Sequence, residues 1–262
     1  MSNEISQKIL LATPCHQGMC HAQYASSLAE TVLLLYKSNA ITIQPKFLFE
    51  EPLISRARNI LCAYFLAEPS FTHLLFIDAD IQWKPSDILR LINHNKPIIA
   101  ATYPKKSIHW ERINTFFFKI ANHIEDKKTL KNFILSYLLD FAVSFTDMQV
   151  TKDGLCEVNS LANGFLLIQR QTLDLMIKSK MVHKTSFLDT EFAHLNTFAY
   201  NFFDYEHGEN IYDAQEEYFS YQWRKGGGKL YLDLSILLTR MGDLPFAGYI
   251  MDLLQKQDSK NA

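Results

Sequence analysis

The sequence predicts an α/β fold, and three observations predict it. Short apolar runs alternate with stretches of helical spacing along most of the 262 residues, the pattern of strands and helices laid down in turn. The runs are continuously apolar, as in Leu74-Leu75-Phe76-Ile77, which marks strands covered on both faces. That run stops at Asp78-Ala79-Asp80, so two carboxylates emerge at the rim of a sheet, where open α/β folds bind their ligands.

Taken in order, Lys8 to Thr13 is a first buried strand, and Pro14 to Gly18 a turn-rich loop. Ala22 to Tyr36 has helical spacing through Leu28, Val32, Leu33 and Leu35, and Ile41 to Phe49 returns as a second strand. Strand, loop, helix, strand opens a nucleotide-binding α/β unit. No G-x-G-x-x-G follows the first strand, which argues against a dinucleotide-binding dehydrogenase. Ser55 is a candidate N-cap for a helix running to Leu66. On it Arg56 and Asn59 share a face, with Arg58 off to one side. Arginines at a helix start beside an acidic rim suit phosphate or ribose contacts; a salt-bridged helix face fits the same spacing.

After the Asp-Ala-Asp strand, Pro85-Ser86-Asp87 starts a helix to about His94, with Pro near N1 and an acid in the first turn. Pro97 to Thr102 is a fourth strand, ending in Tyr103-Pro104-Lys105-Lys106. Lys105 faces the same rim as Asp80, to meet a phosphate or solvent. Residues 110–148 carry two helical stripes, Ile113-Phe117-Ile120-Ile124 and Leu130 to Phe141, and read as an inserted helical hairpin. Its Phe-rich stripes suit packing on the sheet, or an acceptor lid, a membrane surface or a homodimer face.

Lys152-Asp153-Gly154 is a turn, and Leu155 to Ser160 and Ala162 to Ile168 are strands, with Gly164 where backbone can approach a ligand. Gln171 to Lys180 is a helix, and Glu206 to Asn210 resembles a surface loop. A helix over Tyr218 to Arg224 precedes Gly226-Gly227-Gly228, which follows a helix and so reads as a helix-to-strand turn rather than a phosphate cradle. Lys229 to Leu234 is a last strand. Leu237 to Gly242 and Phe246 to Gly248 close the chain before a polar tail at 252–262. With no linker and no internal repeat, residues 1–262 read as one domain.

Composition excludes several classes. At 48% hydrophobic the chain supports a sizeable core. Its 26 basic and 28 acidic residues give net −2, which is no electrostatic footprint for nucleic acid. No apolar run approaches the ~20 residues of a membrane span. Residues 1–8 lack a signal-peptide apolar core, so the expected compartment is cytoplasmic, of a bacterial cell or an infected host. The cysteines Cys15, Cys20, Cys62 and Cys156 suggest reduced thiols. Cys15-His16 with Cys20-His21 offers zinc-type ligands, but the spacing matches no common zinc motif and no second cluster follows.

Asp78 and Asp80 carry the sharpest chemistry. Two residues apart, they point the same way in extended backbone. Paired carboxylates suit a divalent cation, and the cation a diphosphate; an acidic strand end capping the next helix is the plainer reading.

Four segments, SRARN (55–59), LLFIDADIQWKPSDILRLI (74–92), YPKK (103–106) and EEYFSYQWRKGGGKLYLDLSILLTRMG (216–242), come in an order that resembles glycosyltransferases of the GT-A fold. The likeness is to the small family-2-like group of bacteria and large DNA viruses, and it covers about Ile9 to Gly248. It implies a Rossmann-like nucleotide-binding sandwich with a mixed central sheet, a UDP-sugar donor and Mn²⁺ or Mg²⁺. It implies a glycan, glycoprotein or lipid-linked acceptor. By that resemblance Thr13 and Pro14 line the base and ribose pocket, and Arg56 and Asn59 contact the nucleotide. Asp80 binds metal directly, with Asp78 near the ribose or the second metal shell. Asn163 and Gly164 line the sugar or acceptor pocket. Glu216-Glu217 stands where the family shows Glu-Asp, with Glu217 at the place of the general base in inverting members.

Two departures stand out. Arg240 occupies the place of a metal-binding His, and a guanidinium cannot ligate a metal, although it can neutralise a diphosphate. Glu217 is one methylene longer than the usual Asp. The competing expectations are a non-catalytic nucleotide-sugar-binding relative, a metal-independent transferase that uses Arg240, and a phosphatase with an Asp-x-Asp nucleophile. The last expects its motif after the first strand, where this chain has none.

Overall fold

A computed structural model describes residues 7–37, 40–112, 138–141, 143–144, 149–187, 191–204, 214–243 and 245–250; the side chains of 144 and 214–217 lie outside the description. At its centre is a seven-stranded mixed sheet. Five strands run parallel: β1 (Gln7–Cys15), β2 (Ile41–Phe49), β3 (His73–Ile77), β5 (Ile98–Ala101) and β12 (Leu230–Asp233). Two run against them, β9 (Leu155–Val158) and β11 (Phe165–Gln169). The order across the sheet is β2-β1-β3-β11-β5-β12-β9.

Side chains alternate between the two faces, as the pleat demands. Ile9, Leu11, Leu75, Ile77 and Ile99 pack under α1 (Ala22–Tyr36) and α3 (Pro85–Asn93). Leu10, Ala12, Leu74, Phe76 and Ile98 pack under α2 (Ile54–Ala67), α4 (Arg170–Lys178) and α5 (Ala214–Lys225). Every residue of β3 is buried, so this strand is covered on both sides as its apolar run requires. Each fully buried Leu, Ile or Phe there contributes roughly 1.5–3 kcal/mol. The carboxyl ends of the parallel strands and the start of β11 share one rim.

A second sheet braces that rim. β4 (Ile81–Gln82) pairs with β13 (Thr239–Met241), which pairs with β14 (Pro245–Ala247). β6 (Pro104–Ile108) pairs with β7 (Leu139–Phe141), and β8 (Val143–Ser144) with β10 (Ser160–Leu161). The helix end at Gly226-Gly227-Gly228 is a capping turn. Gly228 N donates to Trp223 O at 3.0 Å, Gly227 N to Arg224 O at 2.8 Å, and Gly227 holds the left-handed conformation at φ 84°.

Three expectations are corrected. Ser55 is inside α2, whose N-cap position is Leu53 with no side-chain cap bond; Ala57 N closes the first turn on Leu53 O at 2.9 Å. Leu139–Phe141 is a strand rather than the end of a helical stripe, because β6 gives it a backbone partner. Asp78 and Asp80 do not share extended backbone: Ile81 N donates to Asp78 O at 3.0 Å, so the chain turns between them. Most of the 110–148 hairpin, the 205–210 loop and the 252–262 tail lie outside the described residues. Among the described residues no helix is long and apolar enough to cross a membrane.

Candidate functional site

The site is built on the turn after β3. Asp78 N donates to Gly164 O at 2.9 Å, which fixes the turn against the entry to β11. From α2, buried Arg58 donates through Nη2 to Asp78 Oδ1 at 3.0 Å. Arg56, the arginine singled out by spacing, forms an ion pair with Glu51 at 3.2 Å instead. Asn59 is buried, and its amide serves the chain itself. Its Oδ1 accepts from Phe202 N at 3.0 Å and Phe203 N at 2.9 Å, and its Nδ2 donates to Phe203 O at 2.7 Å.

Asp80 faces a different set of groups. The β4–β13 ladder sets Arg240 opposite Ile81, and Met241 N donates to Asp80 O at 2.7 Å. The Arg240 side chain then reaches Asp80 Oδ2 through Nε at 3.2 Å. Lys106 Nζ meets the same oxygen at 2.7 Å. Lys105 is exposed, on a strand whose pairing with β7 is irregular between Pro104 and Ile108. The Arg240 guanidinium also lies 5.0 Å from the centre of the buried Tyr103 ring. Burial opposes the charge on Arg240, but Tyr103, Asp80 and Asp78 outweigh it and hold the group cationic above its ordinary range.

Two carboxylates are thus met by three cations, Arg58, Lys106 and Arg240. Asp80 Oδ1, Arg58 Nε and Thr102 Oγ1 are buried with no hydrogen-bond partner among the described residues. Buried polar groups without a protein partner are rare, and water, an ion or a polar ligand completes their bonding. The set does not fit a resident Mn²⁺ or Mg²⁺. Asp78 Oδ1 is engaged by Arg58 and Asp80 Oδ2 by Lys106 and Arg240. Among the described residues no three His, Cys, Asp or Glu side chains gather to hold a metal, at this rim or at Cys15-His16. Two like unit charges 4 Å apart already repel by about 4 kcal/mol at a surface-like dielectric, and a dication would face two cationic neighbours.

Beside this cluster the loops after β1 and β2 enclose an open hollow of about 730 Å³, lined by His16, Gln17, Gly18, Phe49, Glu50 and Pro52. Gln17 and Glu50 hold left-handed backbone, at φ 55° and 59°. Such strain collects at ligand sites. Phe49 is 54% exposed and stacks on Phe47, which leaves an aromatic face for a flat ring. His21 N donates to Ala79 O at 3.0 Å and ties this loop to the Asp78–Asp80 turn. Thr13 and Pro14 are buried in β1 and do not line the hollow, and the Thr13 hydroxyl bonds to Tyr24.

Gly164 is where the sequence placed a close approach. A Cβ there would stand 2.4 Å from the Tyr103 hydroxyl and 2.5 Å from Asp78 Oδ2. Asn163 beside it is fully buried. Glu216 and Glu217 belong to the first turn of α5, and their side chains lie outside the described residues. The structure therefore brings Asp78, Asp80, Gly164 and Arg240 together. It adds Arg58, Lys106 and Tyr103, which sequence reasoning did not select. Each stands within a quoted motif, SRARN or YPKK, but only the folded chain shows which residue of the motif meets a carboxylate.

No family model matches the chain, and no curated protein matches it. Among solved structures it is similar to A197 from STIV, at 14% identity over 92% of this chain and 90% of that one, with a TM-score of 0.49. UDP-glucose pyrophosphorylase complexed with UDP-glucose aligns at 10% identity over 97% of this chain and 99% of that one, TM-score 0.40. A 4-diphosphocytidyl-2C-methyl-D-erythritol synthase from Anaerococcus prevotii aligns at 10% identity over 75% of this chain and 85% of that one, TM-score 0.34. Likenesses this distant assign neither family nor activity.

Proposed function

We propose that the chain is a glycosyltransferase that takes a nucleoside-diphosphate sugar, with UDP-sugar the first candidate, and passes the sugar to a hydroxyl of a glycan, glycoprotein or lipid-linked acceptor. The observation that carries this reading is the juxtaposition at one rim of a strained, aromatic-edged hollow and a cluster with an excess of positive charge. A base suits the hollow and a diphosphate the cluster.

In the reaction the acceptor oxygen attacks the anomeric carbon, and the bond from that carbon to the diphosphate oxygen breaks. The acceptor proton passes to a carboxylate, and Glu217 in the first turn of α5 is the residue the resemblance offers for that role. The bonding pair leaves on the diphosphate, whose growing charge needs fixed positive partners. Direct attack of this kind inverts the anomeric centre.

The test is to incubate the chain with a panel of UDP-, GDP- and CDP-sugars plus mixed glycan acceptors, and to follow free nucleoside diphosphate. Release from one donor, abolished in Glu217→Gln with donor binding kept, is expected. Donor binding without release from any donor would make the chain a nucleotide-sugar-binding module.

A further inference from the structure

We infer that Asp80 is the resting counter-ion of a two-cation diphosphate clamp formed by Lys106 and Arg240, and that nucleotide binding at this rim needs no divalent metal. The inference rests on the reading of the rim as a nucleoside-diphosphate site and deepens it.

Geometry carries the argument. Lys106 Nζ and Arg240 Nε converge on one oxygen, Asp80 Oδ2, from two separate strands, at 2.7 and 3.2 Å. The cations are also held from behind. Arg240 rests over the ring of Tyr103, whose hydroxyl accepts from Gly164 N at 3.1 Å. Lys106 is the more exposed partner, with 41% of its side chain accessible, so it can exchange Asp80 for an incoming phosphate oxygen. Arg240 has its guanidinium fork to offer, since only Nε is committed to Asp80. Asp80 Oδ1, buried and without a partner among the described residues, is an acceptor for a sugar hydroxyl.

The clamp reverses the sign expected for Asp80. As a metal ligand its removal destroys nucleotide binding; as a counter-ion it competes with the diphosphate for the same two cations, so its neutralisation frees them.

The experiment is calorimetric titration of UDP, and separately GDP, into the full chain in EDTA and again in excess Mn²⁺. The same titrations are run on Asp80→Asn, Arg240→Gln and Lys106→Gln, each checked for a native melting transition. The expected result is binding of one nucleotide in EDTA with an affinity that Mn²⁺ leaves unchanged. Arg240→Gln then weakens it by about ten- to a hundredfold, the worth of one charge-assisted bond, while Asp80→Asn binds as tightly or more tightly. Binding that requires Mn²⁺, or is lost in Asp80→Asn, overturns the clamp and leaves the nucleotide reading standing. If neither nucleotide binds with or without Mn²⁺, both fall. The wild-type comparison decides the metal question even if a variant fails to fold.

Discussion

Gly164 and Asp78 touch so closely that a methyl group on Gly164 would stand 2.5 Å from Asp78 Oδ2. The same methyl would be 2.4 Å from the Tyr103 hydroxyl, and neither neighbour can retreat. Asp78 is held by Arg58, and Tyr103 is fully buried. Gly164→Ala is therefore expected to cost about 1–3 kcal/mol through overpacking. Urea denaturation of the variant measures this. Nucleotide affinity should fall with it, because the clash displaces both groups that border the diphosphate cluster.

Arg58 and Asp78 form the most deeply buried ion pair of the site. Removing one partner leaves a charge without compensation, so Arg58→Met should destabilise by about 3 kcal/mol. Asp78→Asn in the same background should restore part of that loss. A double-mutant cycle by urea denaturation reads the coupling, and additive effects would show that the pair is not coupled.

Asn59 gives a contrasting expectation. Its amide holds the backbone of Phe202 and Phe203 through three hydrogen bonds. Asn59→Ala leaves buried donors unmet and should lower stability by about 3 kcal/mol. In saturating nucleotide at a temperature where the variant is folded, turnover should stay near that of the wild type. A selective loss of affinity in a fully folded variant would instead place Asn59 on the ligand.

Asp233 predicts a pH dependence. Burial opposes its ionisation, but hydrogen bonds from Ser235, His94 and Arg90 prevail, and its carboxyl titrates below the usual range. A depressed folded-state pKa contributes stability that is present above the unfolded value, about 3.9, and is lost as pH falls through the folded value. Asp233→Asn should thus be less stable than wild type at pH 7, and the gap should close on acidification below about pH 4. Paired urea titrations across that range check the sign; a gap that widens in acid contradicts it.

The frame of the fold was legible because its signals are local. The helix Ala22 to Tyr36 and the strand Ile41 to Phe49 have the bounds read from the sequence, and the fully buried β3 follows from four consecutive apolar residues, but the helix buries Tyr24, Ser27, Thr31 and Leu35 and leaves Val32 and Leu33 of its apolar stripe exposed. What could not be read is direction. Asp78 and Asp80 were expected on one side of an extended strand, but a turn closed by Ile81 N gives each its own partners. Lys105 and Lys106 are adjacent, and the spacing does not tell which of them meets Asp80; in the fold it is Lys106. Arg58 does not stand out from helical spacing, which does not show that α2 is buried around most of its circumference. Arg240 was flagged as a departure from a family pattern, and its reach to Asp80 depends on β13 pairing with β4, a contact between segments far apart in the chain.

Whether a nucleoside diphosphate lies along this rim is read from a crystal of the chain soaked with UDP. Density is expected for the base in the hollow between Gly18 and Phe49, with the diphosphate against Arg240 and Lys106. A nucleotide bound on any other face of the sheet, or bound here with its phosphates turned away from both cations, would contradict it.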